Sequence, residues 1–119
     1  MRLPHALVLL ALVAAVARCA NPTEIDDYPC PDAGTTLTYE NFGEAFVDSY
    51  CNGCHGSAVT DRQGAPSSYV FDTRDQIAAA RDRIFARAAA DNDSMPPGPD
   101  DPPEAEREEL AEWLACGAP

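Results

Sequence analysis

An all-α domain is the fold this sequence predicts, a bundle of three to four helices. Two observations predict it. Apolar residues recur at three- to four-residue spacing in three segments of the 119-residue chain, and helix-start residues precede each segment. The strand and βαβ pattern expected beside a paired-cysteine redox motif is missing around the one such motif here.

The first helix should start near Thr38, a good N-cap residue. Leu37 before it and Phe42 after it fit a hydrophobic staple. Tyr39, Phe42, Phe46 and Tyr50 then make one face aromatic. Gly43 lies within this helix, where glycine costs about 1 kcal/mol relative to alanine. Its presence suggests close approach of another backbone. The helix should run into Cys51.

Residues 56–71 read as a loop ending in a short apolar stretch, Tyr69, Val70 and Phe71. Asp72 to Gln76 opens a second helix, with Thr73 and Gln76 spaced as a capping box. Ile77, Ala80, Ile84, Phe85 and Ala88 give its apolar stripe, with Arg81 and Arg87 elsewhere on its surface. It should fade at Asp91-Asn92-Asp93. Residues 91–103 form a proline-rich, stiff, non-helical loop that carries Met95. A last helix is expected from about Pro103 to Ala115. Pro103 suits the first helical position, and Glu104 and Glu106 complement the dipole. Leu110, Trp113 and Leu114 form its apolar face, and Gly117 is its stop.

The chemistry-bearing stretch is Cys51-Asn52-Gly53-Cys54-His55. C-x-x-C-H reads as an attachment site for c-type haem, each thiol adding across one vinyl group with the histidine under the iron. The chain has two histidines and two methionines. His5 and Met1 fall in an expected export signal, residues 1–18. Arg2 provides its positive end, and Ala6 to Ala17 is an apolar run too short to span a bilayer. His55 and Met95 are then the histidine and methionine left to the exported chain, an axial pair of the cytochrome type. Residues 19–36 read as a flexible acidic tether, and residues 37–119 as the domain.

Helix, C-x-x-C-H, loop, helix, Met loop and a terminal helix with an aromatic follow one another over about residues 37–116. This order resembles the class I (monohaem) cytochrome c family, in its small exported bacterial form. Gly43, eight residues before Cys51, matches the small residue at the family's helix crossing. Phe46 and Val47 flank the apolar position after it, and Trp113 and Leu114 supply the other side. Met95-Pro96 matches the family's Met-Pro pair.

The resemblance implies one covalent haem c held by Cys51 and Cys54, with His55 and Met95 as axial ligands. It implies a loop proline offering its carbonyl to the His55 Nδ1–H, and Pro66 is the candidate. Arg62, Arg74 and Tyr69 are candidates to meet the propionates. The function implied is one-electron transfer between redox partner proteins, without catalysis. The alternative is a peroxidase-like catalytic or ligand-sensing haem with an open sixth position. A thiol–disulfide oxidoreductase using Cys51 and Cys54, and a zinc module, are weaker competitors.

Val16-Ala17-Arg18-Cys19 resembles a bacterial lipobox, although Arg18 departs from it. The alternative is cleavage after Ala15-Val16-Ala17. If Cys19 carries lipid and haem takes Cys51 and Cys54, then Cys30 and Cys116 remain of the five cysteines. The terminal helices cross in the family, so these two could form a disulfide, closing a loop worth about 4–5 kcal/mol in the chain-entropy model. The net charge is −12, and beyond residue 20 there are six arginines against 20 acidic residues. That disfavours nucleic acid and anionic membrane surfaces and favours a basic docking face on the partner. Solubility explains the charge equally well. The expected location is the periplasmic side of the envelope, with the membrane reached only through a lipid anchor.

Overall fold

A computed structural model describes residues 22–119. The expected export signal and Cys19 lie outside the described residues. Among those residues there is no strand, and the fold is all-α. A 3₁₀ turn (Ile25–Asp27) and a π-helical turn (Tyr39–Gly43) precede five helices. These are α1 (Glu44–Tyr50), α2 (Asn52–His55), α3 (Arg74–Ala79), α4 (Arg81–Ala88) and α5 (Glu104–Ala115). None of the described helices is long and apolar enough to cross a membrane.

Local signals set most of the boundaries. Thr38 and Asn41 form a reciprocal capping box, as do Thr73 and Gln76. Each satisfies two backbone donors that a helix start leaves free. At the other end of the chain, the Gly117 N–H donates to the Leu114 carbonyl and the Ala118 N–H to that of Trp113. This is a Schellman stop with Gly117 in the left-handed region at φ +96°.

Three expectations are corrected here. The first helix is not one α-helix. It opens with a π turn, in which the Gly43 N–H reaches back to the Thr38 carbonyl, and it is interrupted at Cys51 before α2. The second helix divides at Ala80, whose φ of −102° and ψ of 8° leave the helical region. Pro103 is the N-cap of α5 in extended conformation rather than its first helical residue.

The packing centre is Trp113, fully buried with Phe85, Ile77, Leu110 and Leu114. A Cβ built on Gly43 would overlap the Trp113 ring. The glycine therefore makes room for an aromatic side chain, not for another backbone. Phe42 meets the same ring edge-on at 6.0 Å. Trp113 Nε1–H and the Tyr39 N–H both donate to the Pro119 main-chain oxygen, so the start of the first helix is tied to the end of the fold.

Residues 24–36, expected as part of a flexible tether, are packed on the domain instead. Ile25 joins the core, and Tyr28 packs on Phe85 at 5.6 Å and donates to Glu108. Cys30 is disulfide-bonded to Cys116, and Thr35 donates to Glu112. The physical reason is that three buried or half-buried groups and a covalent bond outweigh the Pro- and Asp-rich composition. The bond closes 86 residues.

Two predictions follow from this packing. Gly43→Ala should lower the stability of the haem-loaded protein by about 1–3 kcal/mol, because the added methyl meets a buried ring that has nowhere to move; chemical denaturation checks this. Tyr28 also makes stability depend on pH. Burial, then the hydrogen bond to Glu108, pushes its hydroxyl up to about 12 from 10.0. A raised folded-state pKa stabilises fully below pH 10, and that contribution is lost as the pH rises through 12. Denaturation midpoints of Tyr28→Phe should therefore fall less steeply than wild type between pH 10 and 12.

Candidate haem-binding site

The interruption at Cys51 turns the chain so that Cys51 and Cys54 line one wall of a cavity of about 340 Å³. Cofactor pockets start near that size. Phe46, Tyr50, Phe71, Ile84 and Ala88 give it apolar walls, and Met95 closes it from the proline-rich loop. Cys51 and Cys54 are the free cysteines among the described residues. Burial, with Asp48 adding to it, pushes the Cys51 thiol up to about 12. A thiol held so firmly in its neutral form is unlike the low-pKa nucleophile of a dithiol redox pair.

His55 is fixed from two sides. Its Nδ1 lies 2.9 Å from the Tyr69 carbonyl. A carbonyl can only accept, so Nδ1 carries the proton, and in the neutral imidazole Nε2 is then the nitrogen with a lone pair for a metal. Phe71 stacks on the ring at 4.6 Å and 26°. The Phe71 N–H donates to the His55 carbonyl, which holds the two segments in register.

The partner of His55 is thus Tyr69, not Pro66. The Pro66 carbonyl instead accepts from the Tyr69 N–H and from Arg62. Arg62 donates to the carbonyls of Gly56, Ala65, Pro66 and Tyr69, so its guanidinium folds the loop rather than reaching for a propionate. Arg74 donates to the Ala118 carbonyl and pairs with its exposed neighbour Asp75. Of the three propionate candidates, Tyr69 lines the cavity and the two arginines do not.

Arg83 and Arg87 do line it. Sequence reading placed Arg87 on an outer surface and passed over Arg83. Their i, i+4 spacing on α4 was the available signal, since it puts two cations on one helix face beside Ile84. Both stand where anionic groups of a ligand in this cavity would find charge.

Met95 is held by its backbone at both ends. Its N–H donates to the Arg87 carbonyl at 2.8 Å, and its carbonyl accepts from Arg107 at 3.0 Å. Its side chain stays 40% exposed, unlike every other large apolar side chain among the described residues. An apolar thioether left uncovered on an apolar cavity that His55 also lines suits a haem. Two unpaired thiols on the same wall suit its covalent attachment. A zinc site has no such support. Among the described residues no cluster of three His, Cys, Asp or Glu could hold a metal ion, and Cys30 and Cys116 are bonded to each other.

An all-helical domain that gathers C-x-x-C-H and a methionine around one apolar cavity has the layout of a c-type cytochrome domain. A family model described as cytochrome c oxidase, cbb3-type, subunit III, matches residues 41–114, more than half of the sequence, and the chain belongs to that family. Haem-based electron transfer and covalent binding of haem c come with that membership. No curated protein and no solved structure matches the chain.

Proposed function

We propose that the domain is a one-electron carrier with one covalent haem c, attached through Cys51 and Cys54 and ligated by His55 and Met95. The observation that carries this reading is the convergence of the four side chains on one cavity. Haem, when bound, supplies the one-electron iron couple. The chain supplies the rest. Tyr69 holds the His55 proton on Nδ1, so in the neutral imidazole Nε2 is the nitrogen left to bind. The soft Met95 thioether favours the reduced state and raises the potential. The apolar walls exclude water and favour the less charged state. Both ligands sit on anchored backbone, so little has to move when the electron arrives or leaves.

The partners in this reading are redox proteins that present a basic face to the acidic domain. The family description supports service beside a terminal oxidase. We place the domain on the periplasmic side, held to a membrane by lipid at Cys19. Thr23 is already fixed through its carbonyl, which accepts from Asn92. The span from Cys19 to Thr23 is at most about 14 Å of extended chain. The leash is then short, and electron exchange takes place close to the membrane surface.

Two measurements test these proposals. Protein matured with c-type haem should be low-spin when reduced and show the weak near-infrared sulfur-to-iron band when oxidised. Met95→Ala should lose that band and bind carbon monoxide in the ferrous form. Wild type that lacks the band and binds carbon monoxide would shift the reading to an open catalytic or sensing haem. Separately, Cys19→Ser should move the protein from the membrane to the soluble envelope fraction; unchanged membrane association would sink the lipid anchor.

A further inference from the structure

Arg107 is buried, at 6% exposure, on the inner side of α5. Its Nη1 lies 2.8 Å from the Ala88 carbonyl, 3.1 Å from that of Asn92 and 3.0 Å from that of Met95. Its own carbonyl accepts from the Ala90 N–H at 3.0 Å. One side chain and one peptide group thus gather the whole turn between the end of α4 and the methionine. Ala88 is the last residue of α4, where the helix dipole presents partial negative charge to a cation.

These acceptors are backbone carbonyls of the last residue of α4 and of two residues of the loop after it, and one of them belongs to Met95, which lines the cavity with His55. Removing the cation would leave three carbonyls without that donor, two of them on the loop that must press Met95 inward. Hydrogen bonds from a charged donor are the strong kind in a protein interior. We infer that Arg107 is a positioning residue, which keeps the Met95 thioether on the iron against competing ligands. The inference rests on the reading of Met95 as an axial ligand.

The distinction from general stability is testable on the full, haem-loaded chain. Imidazole is the probe, because it competes for the Met95 side of the ferric iron. Arg107→Met should bind imidazole about ten- to hundredfold more tightly than wild type, the span expected for losing a charge-assisted hydrogen bond. Its sulfur-to-iron band should weaken or vanish. Arg107→Lys, which keeps a charge and one donor, should fall between the two. Thr73→Ala is the control. It removes the cap of α3, at an exposed helix end outside the cavity lining, and should leave imidazole affinity unchanged.

Wild-type imidazole affinity and band intensity in both Arg107 variants, whatever their melting temperatures, would overturn the inference. An equal rise in imidazole affinity in Thr73→Ala would overturn it too, since general loosening would then explain the effect. If Arg107→Met does not accumulate, Arg107→Lys decides by the same two readouts. A wild-type protein with no sulfur-to-iron band fails at the earlier step, because Met95 is then no ligand and Arg107 has nothing to position there. A wild-type band with unaffected Arg107 variants removes this inference alone.

Discussion

The Trp113 ring seated against Gly43 is the contact on which the remaining geometry depends. It brings the start of the chain's first helix against the last one, and the Pro119 main-chain oxygen ties both to the same point. With that crossing fixed, α1 can deliver Cys51 in only one direction. The crossing also places α5 so that Arg107 faces the turn after α4. A side chain as large as tryptophan can be fully buried here because glycine offers no Cβ. Close packing then makes the position intolerant of added volume.

Arginine has an unusual role in this acidic chain. With 20 carboxylates available, salt bridges would be the expected partners. Among the described residues, Arg74–Asp75 and Arg81–Asp82 are ion pairs between exposed neighbours and are worth little. Arg62, Arg74 and Arg107 instead hold backbone carbonyls of loops and helix ends. A planar guanidinium can satisfy several carbonyls at once, which suits a small domain with long irregular segments. Arg62 fixes the loop on the histidine side of the cavity and Arg107 the loop on the methionine side. Several carboxylates accept from hydroxyls instead, Glu108 from Tyr28 and Glu112 from Thr35.

The cavity joins segments that differ in how much they owe to local sequence. Cys51, Cys54 and His55 sit in five consecutive residues, so their grouping is local. Met95 reaches them only through the packing of α4 and α5. His55 needs a carbonyl at its Nδ1, and any residue of the loop could supply one, because every residue carries the same backbone acceptor. The turn from Pro66 to Tyr69 puts the Tyr69 carbonyl there and directs the Pro66 carbonyl to Arg62.

Local chemistry alone determined the caps at Thr38 and Thr73, the stop at Gly117, the C-x-x-C-H motif and the proline-rich loop that carries Met95. Each is set by side chains within a few residues of one another, so the linear order suffices. Tertiary structure decided the break at Ala80, the Tyr69 carbonyl as the partner of His55, and Arg83 and Arg87 as cavity residues. It also decided that residues 24–36 lie on the domain, because Ile25, Tyr28 and Cys30 find partners that are distant in sequence. Composition describes how a segment behaves when nothing holds it. It carries no information about a core or a cysteine 86 residues away.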